Sequence, residues 1–288
     1  MLRYSTRRFS SPNNLSLISP MLTHPNIDPV AFSVGPVQVH WYGLMYLVGF
    51  LGGYWLGVYR AGRPGSGWRK QEVADLLFYV AVGVIVGGRF GYILFYNPGY
   101  YLQNPLEILY LWTGGMSFHG GLLGVLVAMW LYGRNTRRPF FAVTDFLAPL
   151  VPVGLGAGRI GNFINQELWG KITAIPWGMR FPGTDLSGQP RHPSMLYEAF
   201  LEGLVLFVVL WIYSARPRAT GAVSGLFLVG YGVFRFLVEF VRLPDAHIGY
   251  LAFGWVTVGQ LLSLPMIVAG LWLLLRTPGP SKPIGSAQ

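Results

Sequence analysis

The chain has 288 residues, 52% of them hydrophobic and 11% charged, and a mean hydropathy of +0.45; this is too apolar for an ordinary soluble domain and predicts an all-α polytopic membrane protein. It contains no cysteine, which excludes a disulfide framework, a cysteine nucleophile and a thiolate metal ligand, so any thiol in the chemistry belongs to a substrate. The formal charge of +10 sits mainly in short loops between apolar runs, where it sets orientation in a lipid bilayer, and nucleic acid is excluded as a partner.

Residues 1–20 are rich in Ser, Arg and Asn and lack an apolar core for a signal peptide. Met21 opens a different texture, and translation is expected to start there, with the leader a start-site artefact or a disordered tail. A single membrane-embedded domain is expected over 21–276 and a cytoplasmic tail over 277–288. Seven apolar stretches of spanning or near-spanning length follow, at about 40–59, 74–95, 117–133, 142–160, 195–214, 221–241 and 253–275. Basic residues mark alternate connections: Arg60, Arg63, Arg69 and Lys70; Arg134, Arg137 and Arg138; Arg216 and Arg218; then Arg276 and Lys282. Residues 21–39 and 97–115 carry no Lys or Arg, so the N-terminus is expected outside and the C-terminus in the cytoplasm. Residues 97–112, with Tyr100, Tyr101, Tyr110 and Trp112 among leucines, read as an interfacial arm, and 166–191 as a small folded outer cap. Gly83, Gly87 and Gly91, Gly120 with Gly124, and Gly154 with Gly158 form small helix faces for close packing.

Polar groups at membrane depth concentrate in one half. Arg89, Arg159 and Arg235 fall in the outer halves of outward helices, and His119, Glu198 and Glu202 near the outer starts of inward ones; Asp75 and Asp145 are the inner exceptions. Gly158–Gly170 brings an arginine, amides and Glu167 to the end of an apolar helix, where a lone arginine would read as a snorkelling anchor. Tyr231, Arg235, Glu239 and Arg242 share a helix face, either as an internally satisfied pair or as a grip for phosphate. GRFGY around Arg89 echoes GRIGN around Arg159. His192-Pro193-Ser194 reads as a helix start with Ser194 able to cap, and Tyr42 as interfacial anchor or site residue. Gly156, Gly158 and Gly161 spell G-x-G-x-x-G without a preceding strand, so no dinucleotide site is expected, nor is a metal.

These blocks carry a resemblance. Residues 158–170 (GRIGNFINQELWG) resemble the signature of bacterial prolipoprotein diacylglyceryl transferases, and the MLTHPNIDPV and WYGLMY blocks within 21–46, GGMSFHGG at 114–121, HPSMLYE at 192–198 and YGVFRFLVEFVRLPD at 231–245 are similar to the family's other blocks in the same order. The resemblance implies transfer of the sn-1,2-diacylglyceryl group of phosphatidylglycerol to the lipobox cysteine of a prolipoprotein signal peptide, in the bacterial inner membrane with the site facing the periplasmic half, and without a cofactor. It implies Tyr42, His119, Arg159, Arg235 and Glu239 as catalytic positions, and Arg159, Asn162, Glu167, Gly170, Tyr231 and Arg235 as contacts to phosphatidylglycerol. Gln166 is taken as a variable position. In this reading Arg159 and Arg235 neutralise the leaving phosphate, Glu167 and Glu239 orient them, Asn162 and Tyr231 hold oxygens, and His119 receives the thiol proton. The alternative is a non-enzymatic carrier or flippase for anionic phospholipid. A solute transporter is disfavoured because the polar groups avoid the midplane.

Overall fold

A computed structural model describes residues 22–244 and 249–276. The expectations for the leader and for the 277–288 tail lie outside these residues. Every one of the seven apolar stretches is helical: α1 (Trp41–Ala61), α2 (Lys70–Tyr96), α4 (Phe118–Thr136), α5 (Phe140–Leu147) with α6 (Val151–Ile164), α7 (Ser194–Glu198) running through a π-helical turn (Ala199–Val205) into α8 (Leu206–Tyr213), α9 (Ala222–Val238) and α10 (Val258–Arg276). By length and apolarity α2, the continuous Ser194–Tyr213 helix and α10 qualify as membrane spans, and the α5–α6 pair adds a fourth that is bent by 50°. The unbroken helix expected over 142–160 is therefore two. Pro149 and Pro152 explain the break, since neither donates a backbone N–H and each ring crowds the preceding turn. Large apolar side chains such as Trp55, Phe95 and Leu275 are 67%, 76% and 84% exposed, as expected of helices whose outer faces meet hydrocarbon.

The expected arm is present as α3 (Pro98–Gln103) and two 3-10 turns (Pro105–Leu109, Leu111–Thr113), with Leu102, Leu106 and Trp112 outward. Among the described residues, four short strands add to what the sequence reads as all-helical. β2 (Val30–Val34) and β3 (Val37–His40) form an antiparallel hairpin leading into α1, and β1 (Leu22–Thr23) lies parallel to β4 (Met179–Arg180), joining the N-terminal segment to the cap.

Glycine decides which helices touch. Gly83, Gly87 and Gly91 of α2 lie against Gly120 and Gly124 of α4 so closely that a Cβ on Gly91 would stand 2.6 Å from Gly120 Cα. A Cβ on Gly49 of α1 would stand 2.9 Å from Gly154 Cα, and Gly156 lies against Gly203 of the π-helical turn, whereas a Cβ on Gly154 or on Gly158 would itself meet nothing within 4 Å among the described residues. A core of Val73, Leu76, Met129, Tyr132, Val143 and Phe146 unites α2, α4 and α5. Charges at the other helix ends are structural: Asp145 of α5 accepts from the Gly221 and Ser224 N–H groups at 2.6 and 2.7 Å, a carboxylate at the positive end of α9. Glu72 accepts from the Arg69 N–H at the start of α2 and pairs with Arg138, which stacks on Trp68.

Candidate active site

The close approach of Gly156 to Gly203 sets α6 against the Ser194–Tyr213 helix, and α9 packs on the same helix. Three elements thus bring their ionisable residues together. Glu198, fully buried, bridges two arginines: its Oε2 lies 3.0 Å from Arg159 Nε and its Oε1 accepts from Arg235 Nη1. Arg159 Nη2 lies 3.5 Å from Glu202 Oε2, and Arg235 Nη2 is paired with Glu239, one helical turn onward. Glu239 also accepts from Thr257 Oγ1 at 2.6 Å and lies 3.4 Å from Arg242 Nη1. The side chains of Arg159, Arg235 and Arg242 retain 17%, 14% and 12% exposure, while those of Glu198, Glu202 and Glu239 are buried.

Tyr231, one turn before Arg235, faces Arg159, Arg235, Glu198 and Glu202. Tyr42 packs its ring on Gly161, where a Cβ would stand 2.8 Å away, and faces Arg159 and Glu167. Glu167 differs from its expected part: it receives Asn162 Nδ2 and Asn165 Nδ2, each at 3.1 Å, and orients amides rather than arginines. Gly170 admits no side chain, because a Cβ would collide with the Val241 carbonyl and stand 2.8 Å from His192 Cβ; its N–H donates to His192 O, and its backbone bridges to Arg242. It therefore closes the cap against the end of α9 beside the cluster. His119 is exposed on α4, edge-on to Phe118, and among the described residues no contact joins it to the arginines.

Arg89, for all its sequence echo of Arg159, is fully committed elsewhere. It is 3% exposed and donates to the carbonyls of Glu107, Ile108, Gly114 and Gly115 at 2.6–3.2 Å, with its guanidinium over Tyr101. It clamps the arm. Ser194, expected to cap its helix, instead donates to Leu168 O at 2.7 Å and ties that helix to the signature loop. Gln166, taken as variable, is buried and bonds to Asn26, the Gly183 N–H and Thr184.

The cap and its junction carry the titrating groups outside the helices. Arg191, stacked on Trp169, holds the Asp185 carboxyl below its ordinary value. Burial lowers His192, with Lys171 adding to the effect, and burial lowers His24, which sits against Phe163 and Phe181. The site partners that sequence reasoning missed are Glu198, Glu202 and Thr257. The two glutamates are visible as polar groups at depth with four-residue spacing, but only the packing of α6 on the π-helical turn assigns them to the arginines.

Comparison with known proteins follows the same residues. The family model described as prolipoprotein diacylglyceryl transferase matches residues 29–276. The chain is 61% identical over 256 residues to the phosphatidylglycerol--prolipoprotein diacylglyceryl transferase of Solidesulfovibrio magneticus, covering 89% of this chain and 97% of that one. It is 62% identical over 262 residues to the protein of the same name from Nitratidesulfovibrio vulgaris (91% and 98%), and 59% identical over 254 residues to that of Azotobacter vinelandii (88% and 96%). With this likeness spanning all of the helices that build the arginine cluster, the chain belongs to the prolipoprotein diacylglyceryl transferase family.

Proposed function

We propose that this chain moves the diacylglyceryl group of phosphatidylglycerol to the thiol of a lipobox cysteine in a prolipoprotein, releasing glycerol phosphate, with the arginine cluster as its phosphate site. The observation that carries this reading is the Arg159–Glu198–Arg235 bridge, which fixes two partly exposed arginine side chains on one buried carboxylate at the junction of α6 and α9. A fork held by its partner from behind meets a phosphate already oriented, and in a poorly solvated site that neutralises charge on the departing oxygen most effectively. Tyr231 and Asn162 hold glycerol and phosphate oxygens, and Tyr42 lines the entrance beside Arg159. Gly170 keeps the cap seated on this region, and Glu167 sets the amides. His119 takes the proton of the incoming thiol from the α4 side as the arm brings the peptide in. Sulfur then attacks the glyceryl carbon, the S–C bond forms, and the C–O bond to phosphorus breaks with its electron pair on oxygen. No cofactor is needed, because the lipid itself supplies the activated group.

In the same reading the helices make seven spans in the bacterial inner membrane, with the N-terminus, arm and cap on the periplasmic side and the basic loops in the cytoplasm. The test uses purified protein, phosphatidylglycerol micelles and a lipobox peptide. Release of glycerol phosphate that requires both the peptide thiol and Arg159, and is lost in Arg159→Ala, is the expected result. Phosphatidylglycerol bound without release would instead indicate a carrier.

A further inference from the structure

Arg159, Arg235 and Arg242 stand against Glu198, Glu202 and Glu239, so the formal charges of the cluster cancel before any lipid enters. A phosphodiester adds one negative charge among buried carboxylates. Uncompensated charge in such a place is costly, and a proton taken up with the anion removes the cost.

The three glutamates are not equal hosts for it. Glu198 is gripped by two guanidiniums, and Glu239 by two guanidiniums and the Thr257 hydroxyl. Glu202 is wholly buried, and among the described residues its ion contact is with Arg159 alone, at 3.5 Å, without the second guanidinium that serves Glu198 or the hydroxyl that serves Glu239. It is held there by a particular backbone device, the π-helical turn Ala199–Val205, drawn onto α6 where a Cβ on Gly203 would stand 2.7 Å from Gly156 Cα. Single π turns within α-helices occur frequently at functional sites. The groups that face it are Arg159 from α6, Glu198 from its own helix, and Tyr231 and Arg235 from α9.

We infer that Glu202 is the acid that protonates the departing glycerol phosphate. As the C–O bond breaks, the Glu202 proton passes to the phosphate oxygen, leaving a carboxylate beside Arg159, and the carboxylate regains a proton when the next lipid anion enters. The thiol loses one proton and the phosphate gains one, so no further reactant is required. The inference rests on the arginine cluster being the phosphate site.

The test compares phosphatidylglycerol with its analogue in which sulfur replaces the oxygen between the glyceryl carbon and phosphorus. The headgroup is unchanged, and the sulfur departs without needing a proton. Glu202→Gln is expected to lose on the order of a hundredfold in kcat with phosphatidylglycerol and to turn over the sulfur analogue at close to the wild-type rate, which also certifies its fold. Glu202→Asp, which keeps a proton at shorter reach, is expected to fall between. Equal losses on both donors, or no loss on either, overturn the inference. Arg159→Ala is run alongside: if it remains active, the phosphate-site reading itself fails, whereas an inactive Arg159→Ala beside a fully active Glu202→Gln overturns the role of Glu202 alone.

Discussion

At the scale of single residues, the side chains of the cluster are specific in shape as well as charge. Arg235 meets Glu198 with one nitrogen and Glu239 with another, a division that a planar fork makes and an ammonium does not. Arg235→Lys is therefore expected to lose most activity, on the order of a hundredfold, although the charge is kept; near-normal glycerol phosphate release would refute this. His24 belongs to the cap junction, where it is 2% exposed and its Nδ1 accepts the Asn26 N–H at 3.0 Å. Burial lowers its pKa from 6.5, so the unfolded or detached segment binds a proton first. Its contribution is thus complete above pH 6.5 and declines as pH falls through the folded value, by at most about 1.4 kcal/mol per pH unit. Thermal unfolding or proteolysis of the cap between pH 7.5 and 5 is expected to show this loss and His24→Phe to reduce it. What the sequence reveals at this scale is the anomaly, an arginine or glutamate where hydrocarbon should be. It does not reveal the pairing: Glu167, close to Arg159 in sequence, serves two amides, while Glu198, thirty-nine positions from Arg159, serves the arginine.

At the scale of elements, all seven apolar stretches were legible because hydrophobic length needs no tertiary information, and the basic loops delimited them. The bend between α5 and α6 was equally present in Pro149 and Pro152, but a reading by apolar length passes over proline, which is itself apolar. The arm was legible as a segment and its fastening was not, because four carbonyl acceptors leave no signature in a sequence. Arg89→Ala removes all four bonds and leaves those carbonyls of residues 107–115 to find other partners. The expected result is faster protease cleavage within 97–115 with the remaining helices intact. Lys in place of Arg89 is expected not to restore protection, since one ammonium does not reproduce the spread of the guanidinium donors. Unchanged cleavage in Arg89→Ala would show that the arm is held by other contacts.

At the scale of the whole molecule, the orientation proposed above from the basic loops is one that a chain without cysteine is well suited to report. Leu186, 97% exposed in the cap, and Arg216, exposed after α8, belong to opposite sides in the proposed topology. A membrane-impermeant maleimide added to spheroplasts is expected to label Leu186→Cys directly and Arg216→Cys only after permeabilisation; the reverse pattern would invert the topology. The π-helical turn sets a further constraint, one of counting. Each residue advances an α-helix by about 100° and a π-helix by less, so deleting one residue from Ala199–Val205 would let the turn rewind as α-helix and leave the faces beyond it nearly in place relative to Glu198. Leu206 and Leu210, at 1% and 0% exposure, would keep their core, and the change would fall on the turn that carries Glu202. The extra residue of the π turn thus serves the placement of Glu202 and not the packing of the helix that follows, and its loss is a local change with a chemical cost.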